Sequence, residues 1–199
     1  MKQILFLVIG VVGISTLLLT GFLFLQDNKN GGGPASLIDD GQFRFKTAIG
    51  KKAPDFTVSD IDGKQITLSS FLGKNVILFF NEGLMCYPAC LDQVVELSKD
   101  EKLNTEDTLV FSVVVDSPKK WQDAQKDLPY LKEASVLFDA GAKVSREYDT
   151  LALPSSMHKG VYPGHTYYLI DKEGIVRFTL DDPYMAIRNE ELAKELSKL

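Results

Sequence analysis

The residues able to do covalent chemistry gather in one stretch, NEGLMCYPAC at 81–90, which holds both cysteines of this 199-residue chain, Cys86 and Cys90. The stretch follows the apolar run VILFF and precedes apolar residues at helical spacing, so the pair falls where a buried strand passes into a helix. A cysteine at a helix start faces unsatisfied N–H groups and the positive end of aligned peptide dipoles. Both favour thiolate over thiol, and in such settings thiol pKa values fall from about 8.5 to roughly 3.5–7.5. Cys86 is therefore expected to be a nucleophile near neutral pH. Cys90 follows one helical turn later, and i to i+4 spacing puts the Cα atoms on the order of 6 Å apart, within disulfide reach. An ideal helix cannot close such a bond without distortion. Cys86 is thus expected at or before the N-cap, in an exposed and easily reduced disulfide.

That pair supports a redox cycle. Cys86 attacks a peroxide oxygen or a client disulfide, Cys90 resolves the intermediate into an internal disulfide, and an external thiol reductant resets it. Glu82 and His165 are the candidate proton handlers, and the cycle needs no cofactor. Plainer readings stand beside these. Two cysteines can pack as small hydrophobes, His165 can be a hydrogen-bonded turn histidine, and His158 in SSMHKG a solvated one. Trp121 reads as a helix-face packing residue, and the acidic EDT and DD segments as solvated loops.

The chain must position this pair with one ordinary domain and an appendage. Ile4 to Leu25 runs for 22 residues without a charge, enough for a helix to cross the ~30 Å hydrocarbon layer. A cleaved secretory signal would have a shorter apolar stretch and a small-residue cleavage site. Residues 1–26 are accordingly expected to be a transmembrane anchor and the Gly-rich residues 27–46 a flexible linker. Residues 47–199 are expected to be one globular domain on the extracytoplasmic side. The net charge of −5 offers no basic patch for nucleic acid, and two cysteines cannot build a disulfide framework.

Within that domain, APDFTV and KQITLSSFLG read as short strands and Val76–Phe80 as a central strand buried on both faces. A helix is expected from near Pro88, a strand over Leu109–Val115, and a helix through KKWQDAQKDL capped by Asp116 or Ser117 ahead of Pro118. A short strand at Ser135–Phe138, a helical AGAKVSREY, a hairpin of HTYYLID and IVRFTL, and a final helix with Leu192, Leu196 and Leu199 on one side complete the order. Strands alternating with helices and closed by a hairpin describe an α/β fold around a mixed sheet.

The stretches GKKAPDFTVSDIDGKQITLSSFLGKNVILFF, LVFSVVVD, SVLFDAGAKVSREY and PGHTYYLIDKEGIVRF, with a cysteine at the strand-to-helix turn, resemble the AhpC/TSA (peroxiredoxin and redoxin) family. The resemblance runs from Gly50 to the C-terminus. It implies a thioredoxin-like fold, with a mixed central β-sheet flanked by helices. It also implies Cys86 as reactive thiol and Cys90 as resolving thiol, similar to peroxiredoxins with both cysteines on one helix, which have one more residue between them. The implied partners are a thiol reductant such as a thioredoxin-like protein, and a peroxide or protein disulfide as substrate. Typical peroxiredoxins carry Pro seven and Thr three residues before the reactive cysteine, where this chain has Phe79 and Gly83. They carry an active-site Arg at the position of His165.

A rival comes from the related Sco-type copper chaperones, whose two thiolates and one imidazole would correspond to Cys86, Cys90 and His165. Zinc is less suited, with two thiols and two histidines in the whole chain. Haem attachment is disfavoured because Leu91, not a histidine, follows Cys90.

Overall fold

The computed structural model describes residues 42–199. The expected anchor at 1–26 and most of the expected linker at 27–46 lie outside the described residues. Among the described residues, no helix is long and apolar enough to cross a membrane. Phe43 and Phe45, which the expected boundary assigns to the linker, pack their rings 5.4 Å from Tyr148 and 5.8 Å from Tyr168 respectively. Ordered packing therefore begins upstream of Thr47.

Among the described residues, seven strands form one sheet: β1 (Thr57–Ser59), β2 (Gln65–Thr67), β3 (Asn75–Phe80), β4 (Thr108–Val114), β5 (Val136–Phe138), β6 (Thr166–Ile170) and β7 (Val176–Asp181). Their order across the sheet is β2-β1-β5-β4-β3-β6-β7. The pairs β3–β4 and β4–β5 are parallel and the other pairs antiparallel, so the sheet is mixed as expected. Among the described residues, four α-helices accompany it: α1 (Ala89–Lys99), α2 (Pro118–Asp127), α3 (Lys143–Glu147) and α4 (Asn189–Leu196). This is the thioredoxin-like arrangement.

The alternation of strand side chains divides the core in two. Ile77 and Phe79 of β3 face Leu91, Val94 and Leu97 of α1, Trp121 of α2 and Leu192 of α4. Val76, Leu78 and Phe80 face the opposite way, with Phe56, Val144 and Tyr148. Trp121 is fully buried, as a helix-face packing residue should be. Leu199 departs from the expected apolar stripe. The helix ends at Leu196 with Ser197 as its C-cap, and Leu199 is left exposed.

Register explains why distant residues meet at one end of the sheet. Phe80, the last residue of β3, pairs with Val113 of parallel β4 and with Thr166, the first residue of antiparallel β6. Thr166 in turn pairs with Asp181, the last residue of β7. The segments after β3, β4 and β7 and the residue before β6 therefore emerge side by side.

Candidate active site

The turn after β3 is built by backbone and side-chain bonds within the NEGLM stretch. Asn81 accepts from the N–H of Gly83 (2.9 Å) and donates to the carbonyl of Phe79 (3.2 Å). Gly83 has φ +58°, and a Cβ there would run into the carboxylate of Asp116. A 3-10 turn, Gly83–Met85, follows, then Cys86, Tyr87 and the cis-bonded Pro88 lead into α1. The expected helix start holds, with Pro88 at the N-cap. Cys86 precedes the helix, yet the Cys90 N–H already donates to the Cys86 carbonyl at 3.0 Å.

Cys86 and Cys90 are joined in a disulfide with Cα atoms 5.4 Å apart. The bond is not exposed as expected: Cys86 is 4% and Cys90 1% accessible. Two tertiary contacts contribute to the cover. The thioether sulfur of Met185 lies 3.7 Å from Sγ of Cys86. On the other side, Nδ1 of His165 lies 3.8 Å from Sγ of Cys90.

His165 is a buried residue whose ring is held on three sides. Its Nε2 lies 2.8 Å from the hydroxyl of Tyr167, and its ring packs edge-on to Phe79 with centroids 4.6 Å apart. Burial pushes the imidazole down from the ordinary 6.5 to about 4, with a further lowering from Arg188, against the raising effect of Asp182 and of a hydrogen bond to the Ala186 backbone. It is therefore neutral at neutral pH. Burial likewise drives the Tyr167 phenol well above its usual range, so the hydroxyl keeps its proton.

The loop bearing Met185 is fixed by a buried carboxylate. Asp182 forms a two-pronged pair with Arg188, both N···O distances being 2.7 Å, and accepts from the N–H groups of Tyr184 and Ala186. Burial alone would raise its pKa, but the Arg188 hydrogen bonds and the two backbone donors outweigh that and hold the carboxyl below the ordinary 3.8. The Asp182 N–H donates to the His165 carbonyl at 2.9 Å, tying the loop to the histidine. Gln93 of α1 accepts from the Arg188 N–H at 2.8 Å, tying it to the helix that carries Cys90. The expectation of a solvated DD segment is thus corrected at its second residue, because Arg188 supplies the charge that makes burial tolerable.

Glu82 is engaged by the 157–158 loop. Its carboxylate accepts from the N–H groups of Met157 (2.7 Å) and His158 (3.0 Å) and lies 2.7 Å from Nδ1 of His158. His158, expected to be merely solvated, is instead a partner that holds the 157–158 loop to this buried carboxylate. Asp116 does not cap α2; that role falls to Ser117, whose Oγ accepts from the Lys120 N–H. Asp116 accepts from the Leu84 N–H at 3.0 Å, and its own burial raises its carboxyl pKa, against the lowering by that N–H and by Lys120.

Of the residues singled out in the sequence, Cys86, Cys90 and His165 converge. Among the described residues, no group of three or more His, Cys, Asp and Glu side chains is arranged to hold a metal ion. Met185, Asp182 and Arg188 carried no local signal. Tyr167 did carry one: two residues after His165 in a strand, it must face the same side.

Comparison with known proteins gives the same frame. The AhpC/TSA family model matches residues 49–179. Chloroplastic peroxiredoxin Q of Triticum aestivum is 30% identical over 70% of this chain and 61% of its own length, so the chain spans about three fifths of that relative. The thiol-disulfide oxidoreductase ResA of Bacillus thuringiensis is 32% identical over 66% of this chain and 68% of the relative. Enterococcus faecalis AhpC superposes with a TM-score of 0.65 at 19% identity, over 76% of this chain and 91% of that one.

Proposed function

The chain belongs to the AhpC/TSA family, and from that premise we propose that it is a thiol-dependent oxidoreductase with Cys86 as nucleophile and Cys90 as resolving thiol. One observation carries the reading: the two sulfurs are bonded to each other at the β3–α1 turn, with a neutral imidazole against the second.

In the disulfide-exchange form of the cycle, the Cys86 thiolate attacks a client disulfide and expels one client thiolate. Cys90 then attacks Cys86 and expels the other, leaving the client reduced and the internal disulfide formed. In the peroxidase form, Cys86 takes one peroxide oxygen as a sulfenic acid while the rest leaves as water or alcohol, and Cys90 displaces hydroxide from it. An external dithiol, such as a thioredoxin-like protein, supplies two electrons to reopen the bond. Gly83 and His165 supply neither the hydroxyl nor the guanidinium of the family's usual peroxide grip, which favours disulfide exchange.

The proximity of His165 to Cys90 supports a second reading, a Sco-like copper site of Cys86, Cys90 and His165 in the reduced protein. The apolar run Ile4–Leu25 supports membrane anchoring with this domain on the extracytoplasmic side, where disulfides persist.

Thiol trapping of the full chain separates these readings. Expected is reversible Cys86–Cys90 oxidation by a client disulfide, abolished in Cys86→Ser and arrested as a mixed disulfide in Cys90→Ser. Tight Cu(I) retention lost in His165→Ala, with no internal oxidation by either substrate, would overturn the redox assignment. Rapid hydrogen peroxide consumption lost with Cys86→Ser would move the substrate to peroxide.

A further inference from the structure

We propose that Met185 is a redox-active modification site: its thioether takes an oxygen atom from a peroxide while Cys86 and Cys90 are bonded, and reduced Cys86 removes that oxygen again. This rests on the oxidoreductase reading above and adds to it a second substrate, a methionine sulfoxide carried by the chain itself.

Three sulfurs meet at the site. Sδ of Met185 lies 3.7 Å from Sγ of Cys86, which is bonded to Sγ of Cys90. In the disulfide neither cysteine is a thiolate, so the thioether is the sulfur of the three that still reacts with a peroxide. It is also the better placed to meet one, because Met185 is partly exposed while both cysteines are buried.

Met185 does not owe its position to the disulfide. Its N–H donates to the Asp182 carbonyl at 3.1 Å. The N–H groups on either side, of Tyr184 and Ala186, donate to the Asp182 carboxylate. These bonds hold Met185 at φ +50°, a left-handed conformation that persists for a residue with a side chain only where the surroundings impose it. The thioether therefore stays beside Cys86 once the disulfide is opened.

The chemistry balances with the reductant already invoked. A peroxide transfers one oxygen to Sδ and leaves as water or alcohol, oxidising the thioether by two electrons. After an external thiol reopens the disulfide, the Cys86 thiolate attacks the sulfoxide sulfur and forms an S–S bond to it. The oxygen takes two protons from solvent and departs as water, leaving a sulfonium. The Cys90 thiolate then attacks Sγ of Cys86, forms the internal disulfide and expels the thioether intact. Methionine is reduced and the thiol pair oxidised, and the external thiol resets the pair. Holding the two sulfurs in contact replaces an encounter between separate molecules, which accelerates an otherwise slow thiol–sulfoxide reaction.

The test uses the full chain and compares two of its methionines. Met157, 56% exposed, belongs to the loop held by Glu82. The disulfide form is treated with excess hydrogen peroxide, which is then removed, and peptide mass spectrometry is expected to find sulfoxide at both Met185 and Met157. Dithiothreitol is added to open the disulfide, and loss of oxygen from each residue is followed. Repair of Met185 is expected to be at least about tenfold faster than repair of Met157. That difference should vanish in Cys86→Ser, and equally in the unsubstituted chain when its thiols are alkylated on opening. An unoxidised Met185 in the disulfide form, repair of both residues at one rate, or rapid Met185 repair without the Cys86 thiol overturns the proposal. Closure of the Cys86–Cys90 bond by a client disulfide alongside a persistent Met185 sulfoxide overturns it and leaves the oxidoreductase reading in place. A pair that neither a client disulfide nor the Met185 sulfoxide closes overturns both.

Discussion

The sulfur of Met185 rests 3.7 Å from Sγ of Cys86, although the two residues are 99 positions apart in the chain. Met185 holds this place with φ +50°, a left-handed conformation in which a side chain is uncommon. At that distance its thioether covers part of the Cys86 sulfur. Met185→Ala should therefore raise the rate at which reduced Cys86 reacts with a bulky maleimide, by roughly three- to tenfold if the thioether is the main cover. An unchanged rate would assign the shielding to other residues.

The Asp182–Arg188 pair determines whether that loop keeps its shape. Asp182→Ala leaves Arg188 half-enclosed without its partner and frees the N–H groups of Tyr184 and Ala186. Removing one member of a buried pair costs about 3 kcal/mol. Denaturant unfolding should register that loss, and maleimide labelling of reduced Cys86 should accelerate as it does in Met185→Ala.

Gly83 is the position where the turn before Cys86 tolerates no side chain. Its left-handed φ of +58° alone costs a residue with a Cβ about 1–3 kcal/mol, and the Asp116 carboxylate occupies the space a Cβ needs. Gly83→Ala is expected to lower stability by about 2–4 kcal/mol and to slow closure of the Cys86–Cys90 bond. A variant as stable as the parent, measured by urea melts, would mean that the turn relaxes freely.

Acid should weaken the fold in a window set by His165. Its folded pKa is about 4 against 6.5 when unfolded, so between those values the unfolded chain binds the extra proton and stability falls as pH drops. The full span is worth about 3 kcal/mol. Asp116, raised by burial, works the other way just above 3.8, losing its contribution as pH rises. Asp182, held below 3.8, loses its contribution only as pH falls below that value. His165→Asn should flatten the stability profile between pH 6.5 and 4 while leaving the steeper loss at lower pH. A slope unaltered by the substitution would place the responsible proton elsewhere.

Much of this was legible in the residues. VILFF is apolar throughout because β3 is covered on both faces, and an apolar run bounded by turn residues signals that position without reference to neighbours. The cysteine spacing fixed what could bond to what, since i to i+4 at a helix start is a local geometric fact. Ser117 before Pro118 marked a helix start by local hydrogen bonding alone. The partners of the sulfurs were another matter. His165 reaches Cys90 because β6 runs antiparallel to β3 in a register that pairs Thr166 with Phe80, and pairing register is a property of the sheet. Met185 arrives through a loop that Asp182 and Arg188 hold closed, and Glu82 turns to His158 because a loop 75 residues away offers it two N–H donors. Local sequence determined the reactive pair and the elements on either side of it. Tertiary structure alone decided which groups cover it and which face each sulfur, because those contacts depend on chain segments whose proximity is created only when the sheet assembles.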